Sequence, residues 1–349
     1  MSQTKNNLKE SKAYCRHILP KVSRTFALNI NILTGDLHQA VLSGYLMCRI
    51  ADTFEDSSFL STPTKTDGLN YFLQLLDLKD SPKEYYERLY EPFASQDALH
   101  PYHQLIQNSH HVFTLYFHLS LAYQESIRTC LQDMCKGMIE TLEKEDSNDK
   151  HTIITMNDLE QYCYYVAGTV GELLTKLFAI HCRDINASLQ KNMQSKEVAF
   201  GQGLQLTNII KDAAKDIKRG TCYIPLEVAN RQGLALDDFF KTPHQDQALL
   251  ALNELILKTV EYLDEALRYT LMLPRKAMRI RLFCLWPLLF AIETLSVAYN
   301  NRNLVTGQKP IKISRRTISL VMYTTTLLFW NDSWIKYRYR KTRRTIGLA

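Results

Sequence analysis

The sequence predicts an all-α protein, and three observations carry that reading. Apolar residues recur at three- and four-residue spacing in segment after segment, as in Leu42–Ile50, Cys130–Leu142 and Leu249–Leu273. Glycine and proline are sparse, 12 and 10 in 349 residues. No stretch alternates apolar and polar residues between hairpin dipeptides, and no internal repeat or low-complexity block breaks the pattern. With 46% of its residues apolar the chain can bury a large core. One helical domain over 1–331 and a basic tail over 332–349 is the expected organisation.

The breaks between helices fall at four polar or Gly/Pro-bearing clusters: LSTPTKTDG (60–68), KEDSND (144–149), KRGTCYIP (218–225) and NNRNLVTGQKP (300–310). Asn157, just ahead of LEQYCYYVAGTVGELL, reads as an N-cap, with Glu160 placed to complete a capping box. Gly168 and Gly171 sit inside that helical pattern, where each costs about 1 kcal/mol relative to Ala. Either a ligand or a second helix must approach closely there.

Several functional classes are excluded early. The N-terminal MSQTKNNLKESKAYCRHILPK mixes acids and bases and has no apolar stretch, unlike a secretory or transit peptide. The longest apolar run, near Thr317–Trp330, is about 14 residues with four threonines, short of the roughly 20 that span a bilayer. The eight cysteines are scattered without C-x-x-C spacing, which argues against a zinc or redox site and for a reducing compartment. A cytoplasmic protein is expected.

The net charge of +6 equals the cations in KYRYRKTRR alone: Lys336, Arg338, Arg340, Lys341, Arg343 and Arg344. Such a tail is either solvated or touches anionic lipid on the inner face of a membrane. No nucleic-acid-binding motif accompanies it, so no nucleic-acid partner is expected.

The chemistry lies in two sets of carboxylates. Asp52 and Asp56 in CRIADTFEDS are four apart, on one helix face and one turn from each other. Asn208, Asp212 and Asp216 in QLTNIIKDAAKD repeat the spacing. Like charges at i and i+4 destabilise a helix. A single pair reads as a solvated face, but two pairs, each flanked by bulky apolar residues and nearby cations (Arg49; Lys211, Lys215, Lys218 and Arg219), call for a metal ion. Hard oxygen donors suit Mg²⁺, which fills the rest of its shell with water and phosphate oxygens. The chemistry this predicts is ionisation of an allylic diphosphate, with the metal neutralising the leaving group and an apolar, aromatic cavity excluding water from the carbocation.

Five blocks, VSRTFALNI (22–30), YLMCRIADTFED (45–56), YCYYVAGTVG (162–171), QLTNIIKDAAKDIKRGTCYIP (205–225) and FCLWPLLFAIETLSVAYNN (283–301), resemble in order and spacing the squalene/phytoene synthase family of head-to-head prenyltransferases. The last block and the following Gly307, Lys312 and Ile313 resemble the squalene synthases within it more than the phytoene synthases. The resemblance implies an isoprenoid-synthase-type helical bundle around a central cavity, with the aspartate motifs at its mouth. It also implies two farnesyl diphosphates joined through presqualene diphosphate and reduced by NADPH.

Residue by residue, the resemblance makes Asp52, Asp56, Asp212 and Asp216 the Mg²⁺ ligands. Ser23, Arg24, Arg49, Asn208, Lys211 and Arg219 become substrate-binding candidates. Tyr162, Phe283 and Tyr45 are the catalytic candidates, Tyr162 for the first half-reaction and Phe283 for cation stabilisation in the second. Lys312 and Arg315 are the candidates for holding NADPH.

Departures from the family pattern are specific. Lys211 and Thr221 stand where the family usually has arginine, and Ser314 stands where squalene synthases tend to have a basic residue. Lysine lacks arginine's bidentate fork, and no G-x-G-x-x-G offers a Rossmann site instead. Two alternatives stay open: a reductant-free enzyme making phytoene, dehydrosqualene or presqualene diphosphate, and a non-catalytic helical assembly factor of the same fold.

Overall fold

The structure, a computed structural model, describes residues 2–79, 82–147, 153–218 and 221–347. Helices account for 79% of the chain and no strand occurs among the described residues, as the periodicity predicts. The chain gathers into two compact units: Met1–Ser147 with Lys176–Arg183, and Asn148–Thr175 with Asp184–Ala349.

In the first unit the Gly35–Glu55 helix is the hub. It packs on the Ser2–Val22, Ser109–Phe117 and Leu121–Ser147 helices and buries residues on all sides, Leu37 through Phe54. Phe54 meets Phe93 edge-on, 4.9 Å between ring centroids, and lies so close to Gly68 that a Cβ there would collide with its ring. The segment 60–68, expected as a turn, instead opens the Thr62–Leu75 helix. Ser61 is its N-cap, accepting from the Thr64 N–H at 3.4 Å, and Pro63 stands in the first turn. Turns and helix starts use the same residue types.

In the second unit the Glu197–Ile217, Gln245–Met272 and Met278–Ala298 helices pack on one another. The last is apolar around its whole circumference, as a core helix should be. By length and composition it could cross a membrane, but 78% of its apolar window is buried. The chain's most apolar stretch is therefore this one, not Thr317–Trp330; Arg279, Arg281 and Glu293 interrupt its run in the sequence.

The expected capping box forms two residues early. Thr155 accepts from the Asp158 N–H at 3.2 Å and Asp158 accepts from the Thr155 N–H at 2.8 Å, starting the Met156–Cys163 helix. Asn157 is not the cap, and Glu160 instead accepts from the Tyr262 hydroxyl at 2.5 Å.

The basic segment is not a free tail. Asp332–Arg343 is a helix capped by Asn331, with Ile335, Tyr339 and Thr342 buried on one face. Arg338 pairs with Glu293, and Arg343 reaches Asp264 at 2.8 Å. Asp332 binds fully buried Arg281 at 2.6 Å and Arg275 at 3.0 Å. Burial pushes the Asp332 carboxyl up, but these arginine hydrogen bonds outweigh it and hold the group below the usual range.

Candidate active site

The first carboxylate pair closes the Gly35–Glu55 helix, with Asp52 in its last turn and Asp56 at the C-cap. One turn before Asp52, the Arg49 guanidinium lies 3.3 Å from its carboxylate and donates to the Tyr45 hydroxyl at 3.4 Å. It also stands 5.8 Å from the Tyr45 ring centre and 5.7 Å from that of Tyr102, and its Nε is a buried donor with no partner among the described residues. The Asp52 side chain is 23% exposed. Loss of water pushes its carboxyl up to about 6; Arg49 pulls the other way and the Asp56 charge adds to the rise.

Ser23 enters this neighbourhood as the N-cap of the Arg24–Asn31 helix. Its Oγ accepts from the Phe26 N–H at 3.3 Å, leaving its hydroxyl proton to donate. Phe26 packs on Tyr45, 5.3 Å between ring centroids, so the serine, the tyrosine and the arginine are brought together. Arg24 is exposed in the first turn of that helix.

The second set lies on the Glu197–Ile217 helix, with exposed Asn208 and half-buried Asp212 and Asp216 at successive four-residue steps. Lys211 is ion-paired with Asp212, so its ammonium already sits on the motif. Arg219 lies outside the described residues. Tyr162, 6% exposed, lies in the last turn of the Met156–Cys163 helix, its hydroxyl donating to that of Tyr223 at 3.2 Å and the two rings stacked 4.8 Å apart. A five-residue π-helical turn follows at Tyr164–Gly168, a feature that often marks functional positions.

The glycines resolve as helix packing. A Cβ on Gly171 would collide with the Glu197 carbonyl and one on Gly201 with the Ala167 carbonyl, while one on Gly168 would reach 3.1 Å from Val198. They let the Tyr162-bearing segment lie directly on the Asp212 helix.

Phe283 is buried in the Met278–Ala298 helix. Gly307, at φ +61, backs onto the Asp212 helix: a Cβ there would come within 3.2 Å of Ala214 Cβ and 3.4 Å of Lys218 Nζ. Beyond it Lys312 and Arg315 are exposed. Ser314, the departure from a basic residue, is the N-cap of the Arg315–Leu328 helix, accepting from the Thr317 N–H at 3.0 Å. Arg315 and Arg316 then occupy a first turn without an acid, where the helix dipole disfavours cations.

Sequence reasoning missed Tyr223, Tyr102 and Phe26. Each reaches its site through a partner distant in the chain, Tyr162, Arg49 and Tyr45 respectively, and no local spacing signals that.

Among the described residues no three carboxylate, imidazole or thiolate groups gather into a protein-only metal cage. Mg²⁺ does not require one, since it binds through one or two carboxylates plus substrate phosphates. A carboxylate still raised to about 6 beside an arginine is short of positive charge, which is the condition a cation relieves. The donor set fits Mg²⁺.

Residues 19–317 match the squalene/phytoene synthase family model. The squalene synthase of Dictyostelium discoideum is 32% identical over 317 residues, covering 91% of this chain and 71% of that protein. That of Rattus norvegicus is 30% identical over 324 residues, covering 93% and 72%. Among solved structures, the complex of TcSQS with the ligand BPH1237 superposes with a TM-score of 0.79 at 24% identity, over 97% of this chain and 99% of that one. A dehydrosqualene synthase in complex with ligand gives a TM-score of 0.67 at 20% identity over 93% and 99%. At those identities the structural likeness speaks to the fold, which is the all-helical isoprenoid-synthase fold; the sequence match speaks to the family. With the carboxylate pairs in place on their two helices and the match spanning residues 19–317, the chain belongs to the squalene/phytoene synthase family.

Proposed function

We propose that this chain condenses two farnesyl diphosphates head to head into presqualene diphosphate and reduces that intermediate with NADPH to squalene. The observation that carries this reading is the retention of all four motif aspartates in a chain about 30% identical to squalene synthases over some nine-tenths of its length. An assembly factor would have no use for those charges, which cost helix stability.

Asp52, Asp56, Asp212 and Asp216 would hold Mg²⁺, which when bound supplies electrostatic stabilisation to the departing diphosphate. Arg49, the Ser23 hydroxyl and Lys211 would orient the substrate phosphates, Arg49 through its partnerless Nε–H. The Tyr162–Tyr223 hydroxyl pair would relay a proton: Tyr162 takes one from the carbocation that closes the cyclopropane ring as its own passes to the Tyr223 oxygen and Tyr223 gives its proton to an oxygen of the departed diphosphate, while the stacked rings would offer a π face to positive charge. Phe283 would offer a second face. Lys312 and Arg315, with Arg316, would hold NADPH, which supplies hydride. An anionic group fits there because the helix start that carries the two arginines lacks an acid.

The test is incubation of purified protein with farnesyl diphosphate and Mg²⁺, with and without NADPH, followed by mass analysis of the extract. Squalene is expected only with NADPH, and presqualene diphosphate without it. Dehydrosqualene or presqualene diphosphate regardless of NADPH would place the enzyme among the reductant-free members. No turnover of farnesyl or geranylgeranyl diphosphate would overturn the reading.

Peripheral contact with a membrane goes with an apolar product. On the Asp332–Arg343 helix Lys336, Arg340 and Lys341 stay exposed around Tyr337, which is 62% exposed, and nearby Leu327 and Trp330 are 55% and 52% exposed. At about 1 kcal/mol per cation, replacing all three by Gln weakens binding to anionic vesicles roughly 100-fold. Unchanged co-sedimentation of the triple variant would remove this surface from consideration.

A further inference from the structure

The first unit bears an open cavity of about 430 Å³ lined by none of the residues assigned to the reaction. Arg16, Asn31, Thr34, His38 and Gln39 line it, with Leu33 as its apolar wall, and Gly35 opens the helix that leads out of it. Asp52 lies 17 residues farther along that helix, roughly 25 Å at 1.5 Å per residue, so the cavity is separate from the first carboxylate pair.

Three independent features give it one character. The start of the Gly35–Glu55 helix is uncapped: Thr34 is the N-cap residue but makes no side-chain cap bond, so its hydroxyl and the first amide N–H groups remain available. Arg16 makes no ion pair among the described residues. His38 is 7% exposed, lines the cavity, and finds no hydrogen-bond partner for its ring among the described residues. Its ring is therefore free to donate to a group in the cavity, and an anion can accept that N–H. Asp36, the acid of this first turn, is exposed and does not line the cavity.

We propose that this cavity is a binding site for a small phosphate-bearing anion, held by the amide N–H groups at the start of the Gly35–Glu55 helix, the Arg16 guanidinium and the His38 ring. Its volume falls within the roughly 300–1,000 Å³ of small-molecule sites, more than a lone ion needs. A diphosphate fits it, as does a phosphate ester whose organic part rests on Leu33 with Asn31 and Gln39 to orient it. Burial first, and the Arg16 charge second, hold His38 below its ordinary proton affinity, so it enters the site as a neutral donor whose proton an anion stabilises. This assignment does not rest on the reaction proposed above.

The experiment titrates the full chain, in chelator so that the carboxylate motifs carry no metal, with inorganic phosphate, inorganic diphosphate and glycerol 3-phosphate in turn. Calorimetry reads the affinity, and amide NMR reads Gly35, Asp36 and Leu37. Binding is expected at roughly 1 mM or tighter with shifts at those three amides. It should be about tenfold weaker or worse in Arg16→Gln and in His38→Leu. Arg16 is exposed and Gln there preserves the fold, so the test survives any misfolding of His38→Leu. Turnover of farnesyl diphosphate should be unchanged in Arg16→Gln. Which of the three compounds binds tells a free phosphate or diphosphate from an ester. If none shifts those amides, or if Arg16→Gln binds within about twofold of wild type, the site does not exist.

Discussion

Asp52→Asn and Asp212→Asn are each expected to lower turnover of farnesyl diphosphate by roughly a thousandfold while leaving helical content intact. The two effects separate because the aspartates act against the fold. Asp52 and Asp56 are like charges one turn apart, and the Asp52 carboxyl is raised to about 6, chiefly by loss of water, despite Arg49 at 3.3 Å. A carboxylate whose folded pKa exceeds its unfolded one favours folding when protonated. Its share of stability is present below about 4 and is lost as the pH rises through about 6. Metal-free protein should therefore lose stability over that window. Asp52→Asn should flatten the loss and melt higher at pH 7 by an amount on the order of 1 kcal/mol, small because the side chain remains partly exposed. Mg²⁺ should restore the wild type's stability in proportion to its affinity and do less for the variant. A structural aspartate predicts the reverse, a variant less stable at pH 7 with turnover kept; that result in both variants would remove the metal assignment.

The carboxylates were readable from the sequence because helical period alone puts residues four apart on one face, and no tertiary information is required. Arg49 and Tyr45 lie on the same helix as Asp52, at i−3 and i−7, so the same rule places them. Tyr223 has no such rule, being 61 positions from the hydroxyl it accepts from. The capping box shows a different limit. Thr155 and Asn157 are both good caps, and the choice is made by docking of a distant segment: Leu226 and Glu227 donate to the Ile153 and Ile154 carbonyls at 3.1 and 3.0 Å, and Glu227 accepts from the Met156 N–H at 2.8 Å. In the basic segment, counting charge hid the apolar stripe of Ile335, Tyr339 and Thr342, whose four- and three-residue spacing makes it a docked helix.

Gly201→Ala is expected to destabilise the protein by about 3 kcal/mol or more, at or above the usual cost of overpacking a core. Helix propensity alone predicts the opposite, since alanine is better than glycine in a helix interior by about 1 kcal/mol. Sterics decide the sign. The added Cβ would fall on the Ala167 carbonyl oxygen and crowd the Gly168 nitrogen, both backbone atoms of the π-helical turn, and no rotamer change can clear them. The two segments must separate, and the separation moves the Tyr162-bearing helix relative to the helix that carries Asn208, Asp212 and Asp216. The thermal midpoint should fall by roughly 4 °C or more, with turnover falling at temperatures well below it. Gly233→Ala is the comparison. That residue has φ +69 and open space around its missing Cβ, so only the left-handed backbone is penalised, by about 1–2 kcal/mol. If Gly201→Ala melted within the range of Gly233→Ala, the close backbone approach would not be what holds the tyrosine and aspartate segments together.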